Sequence, residues 1–315
     1  MRARLLLLVP LLSFAAVFAA TLLYYELGDG ESDAVARPAS AAPNGRVIVA
    51  LEREPGPGVR LYIAALDGSG GRFLIEEDAP ADGSVLVEAH PDWSSRAERI
   101  VLTRYRIKDQ EEPEVKIWAV DADGSNLVQL TRGQQPDFLP AWSPDGTEIA
   151  FTREVRGSAE IVLMNADGSG VRQLTGDRAA NEQHPAWSPD GGRIAYTSNT
   201  ESSQDLFVMN ADGSQPTRVT DGPFEASDPA WSPDGEYIAF MCDADLCLVG
   251  AEPGSRPVQL LGTAAKEFSP RWSPDGKWIA FARDPGLLLL LEVATTKVVR
   301  VPLPGNSFTM SWGPA

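Results

Sequence analysis

Residues 140–153 of the 315-residue chain read PAWSPDGTEIAFTR, and this stretch recurs three more times in nearly the same letters. The other copies are PAWSPDGGRIAYTS at 185–198, PAWSPDGEYIAFMC at 229–242 and PRWSPDGKWIAFAR at 270–283. Tryptophan stands in the same setting at 93, 142, 187, 231, 272 and 312, so these repeat tryptophans lie 40 to 49 residues apart. A regular spacing of this size is typical of a repeat architecture.

One unit of the repeat can be divided into strands and turns from its residue types. Residues 141–143 predict a short first strand, and the Ser-Pro-Asp-Gly of 143–146 favours a type I turn, because proline presets φ and glycine accepts a left-handed φ. The consecutive apolar residues 149–151 indicate a second strand that is covered on both faces. Residues 160–164 predict a third strand, and the more polar residues 171–175 predict an outermost fourth. Four antiparallel strands in about 45 residues are typical of one propeller blade.

The number of blades follows from the complete and incomplete units. Five tryptophans, at 93, 142, 187, 231 and 272, each begin a complete unit. Residues 46–51, 61–66 and 72–75 look like the last three strands of a unit without its first, and residues 309–313 look like a first strand without the rest. We therefore predict an all-β, six-bladed β-propeller over residues 45–315. Strand exchange between the termini would close the ring and hide the sheet edges.

The recurring letters WSPDG…IAF…MNADGS…LT resemble the repeat of the TolB-type, WD40-like β-propeller family. The resemblance extends over residues 46–313 and implies the propeller fold. Similar propellers occur as periplasmic protein-binding modules, as the non-catalytic domain of oligopeptidases and in certain polysaccharide lyases, so the resemblance implies no single function. TolB carries a separate α/β domain before its propeller, whereas this chain has a hydrophobic segment there. The resemblance is therefore to the propeller part only.

Residues 1–27 predict a hydrophobic N-terminal helix that anchors the protein in a membrane. Residues 5–25 carry no charge, and as a helix they would be about 30 Å long, enough to cross a bilayer. Arg2 and Arg4 precede this run and acidic residues follow it, so the positive-inside rule places the propeller outside the cytoplasm as a single-pass protein. The alternative is a cleaved signal peptide, which would leave a secreted or periplasmic protein. Residues 28–44 are small and polar and predict a flexible linker.

The charge balance excludes one class of partner. With 44 acidic and 27 basic residues the formal net charge is −17, and such a surface repels nucleic acid. The sequence also contains no P-loop, no dinucleotide fingerprint and no G-x-S-x-G elbow, so we predict no cofactor and find no catalytic motif.

Acidic residues recur five positions before the repeat tryptophan, where the chain enters the innermost strand at one mouth of the central channel. Counting Glu225 beside Ala226, the predicted ligand-binding residues are Glu88, Asp137, Glu182, Glu225 and Glu267, together with His90, His184 and Asp228, which stand three before a tryptophan. Such a mouth would attract a basic peptide, an amine or a cation. The alternative is local, with each carboxylate accepting hydrogen bonds from the backbone N–H groups of its own loop.

The two cysteines and one aspartate motif are candidates for a disulfide and for a metal site. Cys242 and Cys247 flank a four-residue turn between two strand-like runs and could form a disulfide outside the cell; the alternative is two small buried apolar residues. The Asp-x-Asp-Gly-Ser of residues 121–125 resembles the opening of a calcium loop but lacks the later glutamate, so it favours a turn. Two histidines in alternate units are too few for a metal site, and we predict none.

These observations favour an extracytoplasmic, membrane-tethered propeller that acts as a non-enzymatic binding scaffold at the cell envelope. Its partner would be an envelope protein or peptide. The alternative is a carbohydrate-active lyase or hydrolase that uses the carboxylates at the channel mouth, which glycoside chemistry would require to lie roughly 5–10 Å apart.

Overall fold

The structure, a computed structural model, describes residues 45–52, 58–77, 80–176, 180–200, 203–263 and 265–313. Within these ranges the backbone forms twenty-four strands and no α-helix. No helix long and apolar enough to cross a membrane is therefore found in them. The predicted N-terminal helix of residues 1–27 and the predicted linker of residues 28–44 lie outside the described residues.

The strands follow one another in the order that the repeat predicts. In chain order they are β1 (Arg46–Glu52), β2 (Val59–Ala65), β3 (Arg72–Phe73), β4 (Val85–Ser94), β5 (Arg99–Ile107), β6 (Glu114–Asp121), β7 (Val128–Gln129), β8 (Asp137–Trp142), β9 (Glu148–Val155), β10 (Ser158–Asn165), β11 (Arg172–Gln173), β12 (Asn181–Trp187), β13 (Arg193–Thr200), β14 (Ser203–Asn210), β15 (Thr217–Arg218), β16 (Ala226–Trp231), β17 (Tyr237–Cys242), β18 (Asp245–Gly250), β19 (Val258–Gln259), β20 (Glu267–Trp272), β21 (Trp278–Arg283), β22 (Leu287–Glu292), β23 (Lys297–Arg300) and β24 (Ser307–Gly313).

Most strands pair antiparallel with the strand that follows them in the chain. Strands β8–β11, β12–β15, β16–β19 and β20–β23 form four four-stranded sheets, and the remaining strands form one eight-stranded sheet. In the latter, β24 pairs antiparallel with β1, and β1 and β2 continue to β3. A single parallel pair, Val59 with Val87, joins this group to β4–β7. The C-terminal strand therefore completes a sheet that the N-terminal strands begin.

The hydrophobic core lies in layers between neighbouring sheets. Ile149 and Phe151 of β9 pack on one side with Val101 and Ile117 of the preceding unit. Ala150, between them in sequence, packs on the other side with residues of the next unit such as Ile194. Alternate residues of a strand face opposite sides of its sheet. The unbroken apolar run of the second strand is thus explained by burial on both faces, as predicted.

The Ser-Pro-Asp-Gly segments form the predicted turns. In the unit of Trp142 the Gly146 N–H donates to the Ser143 carbonyl at 2.9 Å, and Gly146 has a left-handed φ of 73°. The Asp145 carboxylate accepts from the Ser143 hydroxyl at 2.6 Å and from the Thr147 N–H at 3.0 Å. These hydrogen bonds, with that of the Ser143 side chain first, lower the pKa of Asp145. The motif therefore sets the geometry of the turn.

The outermost strands are shorter than the sequence predicts. Residues 171–175 were expected to form a strand, but β11 spans only Arg172–Gln173. The strand β23, Lys297–Arg300, is the longest of its kind in the described units. An outermost strand pairs on one edge and packs little apolar surface, so few residues are held in the ladder.

Candidate ligand-binding cavity

The innermost strand of each complete unit is irregular at the same place. Its pairing with the second strand shifts register just before the repeat tryptophan, for example between Ala89 and Asp92. The residue three before the tryptophan has a left-handed φ of 48° to 55° in all five units, namely His90, Leu139, His184, Asp228 and Ser269. A β-bulge re-aims a side chain out of the ladder. Because a left-handed non-glycine residue costs of order 1–3 kcal/mol, the surrounding packing must hold it there.

These bulged residues line one cavity where the innermost strands converge. Its volume is ≈290 Å³, and its lining includes residues of β4, β8, β12, β16, β20 and β24. Indole rings form much of the wall, and the prolines of three Ser-Pro-Asp-Gly turns, Pro144, Pro233 and Pro274, are exposed lining residues. The cavity therefore reaches solvent on the side of these turns. The wall thus combines apolar rings with polar groups that converge on one space, as ligand sites do.

Two charged residues in this lining were not foreseen from the sequence. The residue directly before the repeat tryptophan is alanine in the units of Trp142, Trp187 and Trp231, but it is Asp92 in an earlier unit and Arg271 in a later one. Both side chains line the cavity. The signal that could have revealed them is this departure from the repeat, because three other units form the same strand and turn with alanine at this position.

Asp92 is held by the strands on either side of it. Its Oδ2 accepts a hydrogen bond from the Trp142 N–H at 2.7 Å. Burial raises the pKa of Asp92, while the hydrogen bond from the Trp142 backbone and the charge of Arg271 oppose that rise. Asp92 thus connects β4 to β8 at the cavity wall.

Both predicted histidines line the cavity and contact hydroxyls of the second strand. The Nδ1 of His90 lies 3.4 Å from the Thr103 Oγ1, and the Nδ1 of His184 lies 3.3 Å from the Thr197 Oγ1. The Nε2 of His184 also lies 3.4 Å from the Asp228 Oδ1 of the next unit. His184 and Asp228 therefore form a contact between neighbouring innermost strands.

Burial keeps both imidazoles neutral at physiological pH. It lowers the pKa of His90 to about 3, with smaller contributions in the same direction from His184 and Arg271. Burial also lowers the pKa of His184, although the charge of Asp228 opposes this. A neutral imidazole has one N–H donor and one acceptor nitrogen.

The predicted carboxylates five residues before the tryptophan lie outside the cavity that the histidines line. Glu88, Asp137, Glu182 and Glu267 are at most 5% exposed, and none belongs to the lining of the cavity. In the units of Trp142 and Trp272 each faces an arginine across the strand pair. Nε and Nη2 of Arg153 donate to Asp137 at 2.6 and 3.0 Å, and Nη2 of Arg283 donates to Glu267 at 2.7 Å.

Two of these carboxylates also accept backbone hydrogen bonds from strands that precede them in the chain, Glu88 from β2 of its own sheet and Glu267 from β18 of the preceding sheet. The Glu88 Oε2 accepts from the Leu61 N–H at 3.0 Å, and the Glu267 Oε2 accepts from the Leu246 N–H at 3.0 Å. Burial raises the pKa of Glu88, which the Leu61 N–H and then the charges of Arg60 and Arg104 oppose. The role in ligand binding that was predicted for these positions stays a prediction. The alternative expected backbone N–H donors in the loop of each carboxylate, whereas the donors to Glu88 and Glu267 belong to more distant strands.

The unit of Trp231 has neither the acidic residue nor the arginine. Ala226 stands at the acidic position and pairs with Cys242 at the arginine position. Cys242 is joined to Cys247 by a disulfide across the β17–β18 hairpin. The neighbouring Glu225 is exposed, and its Oε2 accepts from the Gln204 N–H at 3.0 Å. The predicted site residues therefore divide into two groups, and the structure brings only His90, His184 and Asp228 to the cavity.

The structure gives no sign of a metal site in the residues it describes. No group of three or more histidine, cysteine, aspartate or glutamate side chains is arranged there to hold an ion. In the Asp-x-Asp-Gly-Ser segment the Asp123 Oδ1 accepts from the N–H and the hydroxyl of Ser125 at 2.8 and 2.6 Å. These are hydrogen bonds within a turn, which is the arrangement expected for this segment.

Part of the chain matches a known family of propellers. Residues 94–246 match the family model described as PD40, TolB beta propeller domain. The Tol-Pal system protein TolB of Anaeromyxobacter dehalogenans (strain 2CP-C) is 32% identical over 135 residues, which are 40% of this chain and 29% of that protein. The TolB of Sodalis glossinidius (strain morsitans) is 37% identical over 54 residues, 17% of this chain and 13% of that protein. The chain thus spans less than a third of the length of these relatives.

Solved structures extend the likeness to most of the chain. TolB from Acinetobacter baumannii has a TM-score of 0.69 and 21% identity, covering 86% of this chain and 67% of that one. A chain of the nidogen/laminin complex has the same TM-score at 12% identity, with 86% and 98% covered. Oligogalacturonate lyase from Vibrio parahaemolyticus has a TM-score of 0.55 at 15% identity, with 73% and 70% covered. At these identities the likeness shows the fold alone, an all-β propeller.

Proposed function

Since the propeller of this chain is of the TolB type, we propose that the protein is a non-enzymatic binding scaffold of the cell envelope that takes its ligand in the cavity. The observation that carries the proposal is the lining, in which His90, Asp92, His184, Asp228 and Arg271 face one space from different innermost strands. Binding residues favour a rigid scaffold that several elements build together. The relatives named as Tol-Pal system proteins support an envelope partner, which would be a protein or peptide.

We also propose that the ring has six blades closed by the termini. The pairing of β24 with β1 supports this closure. Further support comes from two hydrogen bonds toward β4, in which the hydroxyl oxygens of Thr309 and Ser311 accept from the backbone N–H groups of His90 and Trp93 at 2.9 and 3.0 Å. A closed ring would give the cavity a wall on every side.

The non-enzymatic function is favoured over a lyase or hydrolase by the state of the carboxylates. The alternative requires acidic side chains that reach a substrate at the channel mouth. Asp137 and Glu267 are instead buried against Arg153 and Arg283. Neither carboxylate lines the cavity, and each already accepts charge-assisted hydrogen bonds from its arginine rather than facing a substrate.

The proposed domains are an N-terminal anchor at residues 1–27, a linker at 28–44 and the propeller at 45–315. Tethering predicts that the protein stays in the membrane pellet after alkaline carbonate extraction and keeps its N-terminal residues by mass spectrometry. Cleavage of a signal peptide predicts a soluble extracytoplasmic protein of lower mass. Both outcomes place the propeller outside the cytoplasm, and a cytoplasmic propeller would contradict the proposal.

The binding function is tested by capture of partners on the full-length protein from detergent-solubilised envelopes. An Asp228→Asn variant changes the charge of the cavity with little change of shape. Glu225→Gln changes the exposed acid at the predicted mouth, and Glu252→Gln, at a side chain that is 80% exposed, is the matched control. We expect one partner, identified by mass spectrometry, to be lost with Asp228→Asn and kept with the other two variants. Loss with Glu225→Gln alone would move the site to the mouth, and equal capture by all variants would contradict a site in the cavity.

A further inference from the structure

We propose that Arg271 is a carboxylate-binding residue, so that the cavity takes an acidic group of a protein or peptide partner. This inference rests on the binding function proposed above and adds the chemical class of the ligand. This ligand carries a negative charge, whereas the acidic positions of the sequence predict a basic peptide, an amine or a cation.

Arg271 brings a positive charge into the cavity and forms no close ion pair among the described residues, although its charge opposes the rise in the pKa of Asp92. Its Nη1 donates to the Pro270 carbonyl at 2.8 Å. Within the described ranges no carboxylate oxygen lies within the 4.0 Å of an ion pair with its guanidinium. Arg153 and Arg283, by contrast, each hold a buried carboxylate. The guanidinium of Arg271 therefore keeps most of its five N–H donors for another acceptor.

The acidic residues of the cavity are occupied by other groups. Asp92 accepts the backbone N–H of Trp142 at 2.7 Å, and Asp228 lies 3.4 Å from the Nε2 of His184. Each interaction joins two neighbouring innermost strands. Each carboxylate therefore has one oxygen engaged in a contact that connects the strands.

The remaining lining suits an acidic side chain or a chain terminus. His90 and His184 are neutral at physiological pH because burial lowers the pKa of each, so they add no further charge to the cavity. Indole rings supply apolar walls. The cavity volume of ≈290 Å³ lies near the lower end of ligand sites, roughly 300–1,000 Å³, which admits one side chain or a short terminus and excludes a folded domain.

A guanidinium favours a carboxylate over an uncharged isostere because the two form parallel charge-assisted hydrogen bonds. On a protein with a formal net charge of −17, the long-range field opposes an anion, so selective binding of one requires a local cation. Arg271 is the cation that lines this cavity. It occupies a position where three other units carry alanine, so its presence is not required by the repeat.

Small probes on the full-length protein test the inference. N-acetylglutamic acid α-amide presents a side-chain carboxylate and N-acetylglycylglycine presents a terminal one; each is compared with its uncharged amide. The variant Arg271→Ala restores the residue of the other units and is therefore expected to fold, which circular dichroism checks. Arg256→Ala, at an exposed arginine of an outer loop, is the control. Binding is measured by titration calorimetry and by ligand-observed NMR.

We expect at least one acid to bind about tenfold or more tightly than its amide, and the more tightly bound acid shows whether a side chain or a terminus is preferred. Arg271→Ala should abolish this preference and Arg256→Ala should keep it. The inference is overturned if acid and amide bind equally, if the preference survives in Arg271→Ala, or if neither acid binds up to roughly 50 mM, far above millimolar affinity. If the inference fails while Asp228→Asn still loses its captured partner, the proposed binding function stands.

Discussion

Replacing Arg153 by alanine should destabilise the propeller more than replacing Asp137, to which it is paired. The Asp137 side chain is 0% exposed and accepts two hydrogen bonds from Arg153, at 2.6 and 3.0 Å. Arg153→Ala leaves this carboxylate buried without its guanidinium, and loss of one member of a buried pair costs roughly 3–5 kcal/mol. The charge of Lys116 also acts on that of Asp137, so we expect the lower end, about 3 kcal/mol.

Asp137→Ala should lower the free energy of unfolding by less than Arg153→Ala does, because the two side chains differ in exposure. The Arg153 side chain is 18% exposed, and without Asp137 its flexible stem can carry the charge to water. We therefore expect about 1–2 kcal/mol for Asp137→Ala. The double variant should cost less than the sum, with a coupling energy of about 1–3 kcal/mol. The unit of Trp231 already carries such a combination, with Ala226 opposite Cys242.

The assay is urea unfolding of each full-length variant, followed by tryptophan fluorescence and by circular dichroism. Free energies of unfolding are compared only where the m-values agree, since a changed m-value reports a changed unfolded or folded state. Arg256→Ala is the control and should cost under about 0.5 kcal/mol. If Arg153→Ala costs under about 1 kcal/mol, or less than Asp137→Ala, the reasoning is wrong, and the carboxylate positions would be available to a ligand.

Three further variants or treatments test other parts of the structure. Reduction of the Cys242–Cys247 disulfide should lower the free energy of unfolding by about 2 kcal/mol, as expected for a short closed loop, and a Cys242→Ser, Cys247→Ser variant should match the reduced protein in urea unfolding. Burial lowers the pKa of His90 from 6.5 to about 3, so the stability that its neutral form contributes is full above pH 6.5. On acidification toward pH 3 this contribution is lost by about 1.4 kcal/mol per pH unit. His90→Gln should flatten the pH dependence of the free energy of unfolding in this window, and an unchanged slope would contradict the burial of His90. Deletion of residues 307–315 removes β24 and should unfold the sheet that begins with β1, whereas a folded monomer by circular dichroism and light scattering would refute closure by the termini.

Much of the fold could be predicted from the sequence because the same turn and strand residues recur in each unit of the repeat. Proline and glycine at fixed places in Ser143–Gly146 set a turn, and the apolar run at Ile149–Phe151 sets a strand that is buried on both faces. The resemblance of the first and last fragments to parts of one unit predicted the pairing that β24 makes with β1. Each of these signals acts through residues close in sequence or through a repeated pattern.

The candidate site could be predicted only in part, because its members are brought together by the bulge and by strand register. The spacing identified His90 and His184 but not the turn of the backbone that places them in the cavity. The acidic positions were visible, whereas their partners lie across a strand pair, as Asp137 and Arg153 do. Arg271 could not be predicted from the repeat because it stands where three other units carry alanine.

Photo-crosslinking from inside the cavity is the measurement that decides whether ligands bind there. A photoreactive amino acid would replace Ala141, a partly exposed lining residue, in cells that make the protein, and Val258, an outer residue that is 60% exposed, in a parallel sample. A cavity that binds an envelope partner predicts one crosslinked product from position 141, lost when Asp228→Asn is added, and none from position 258. Crosslinks from position 258 alone would contradict a binding site in the cavity. So would products from position 141 that persist when Asp228→Asn is added.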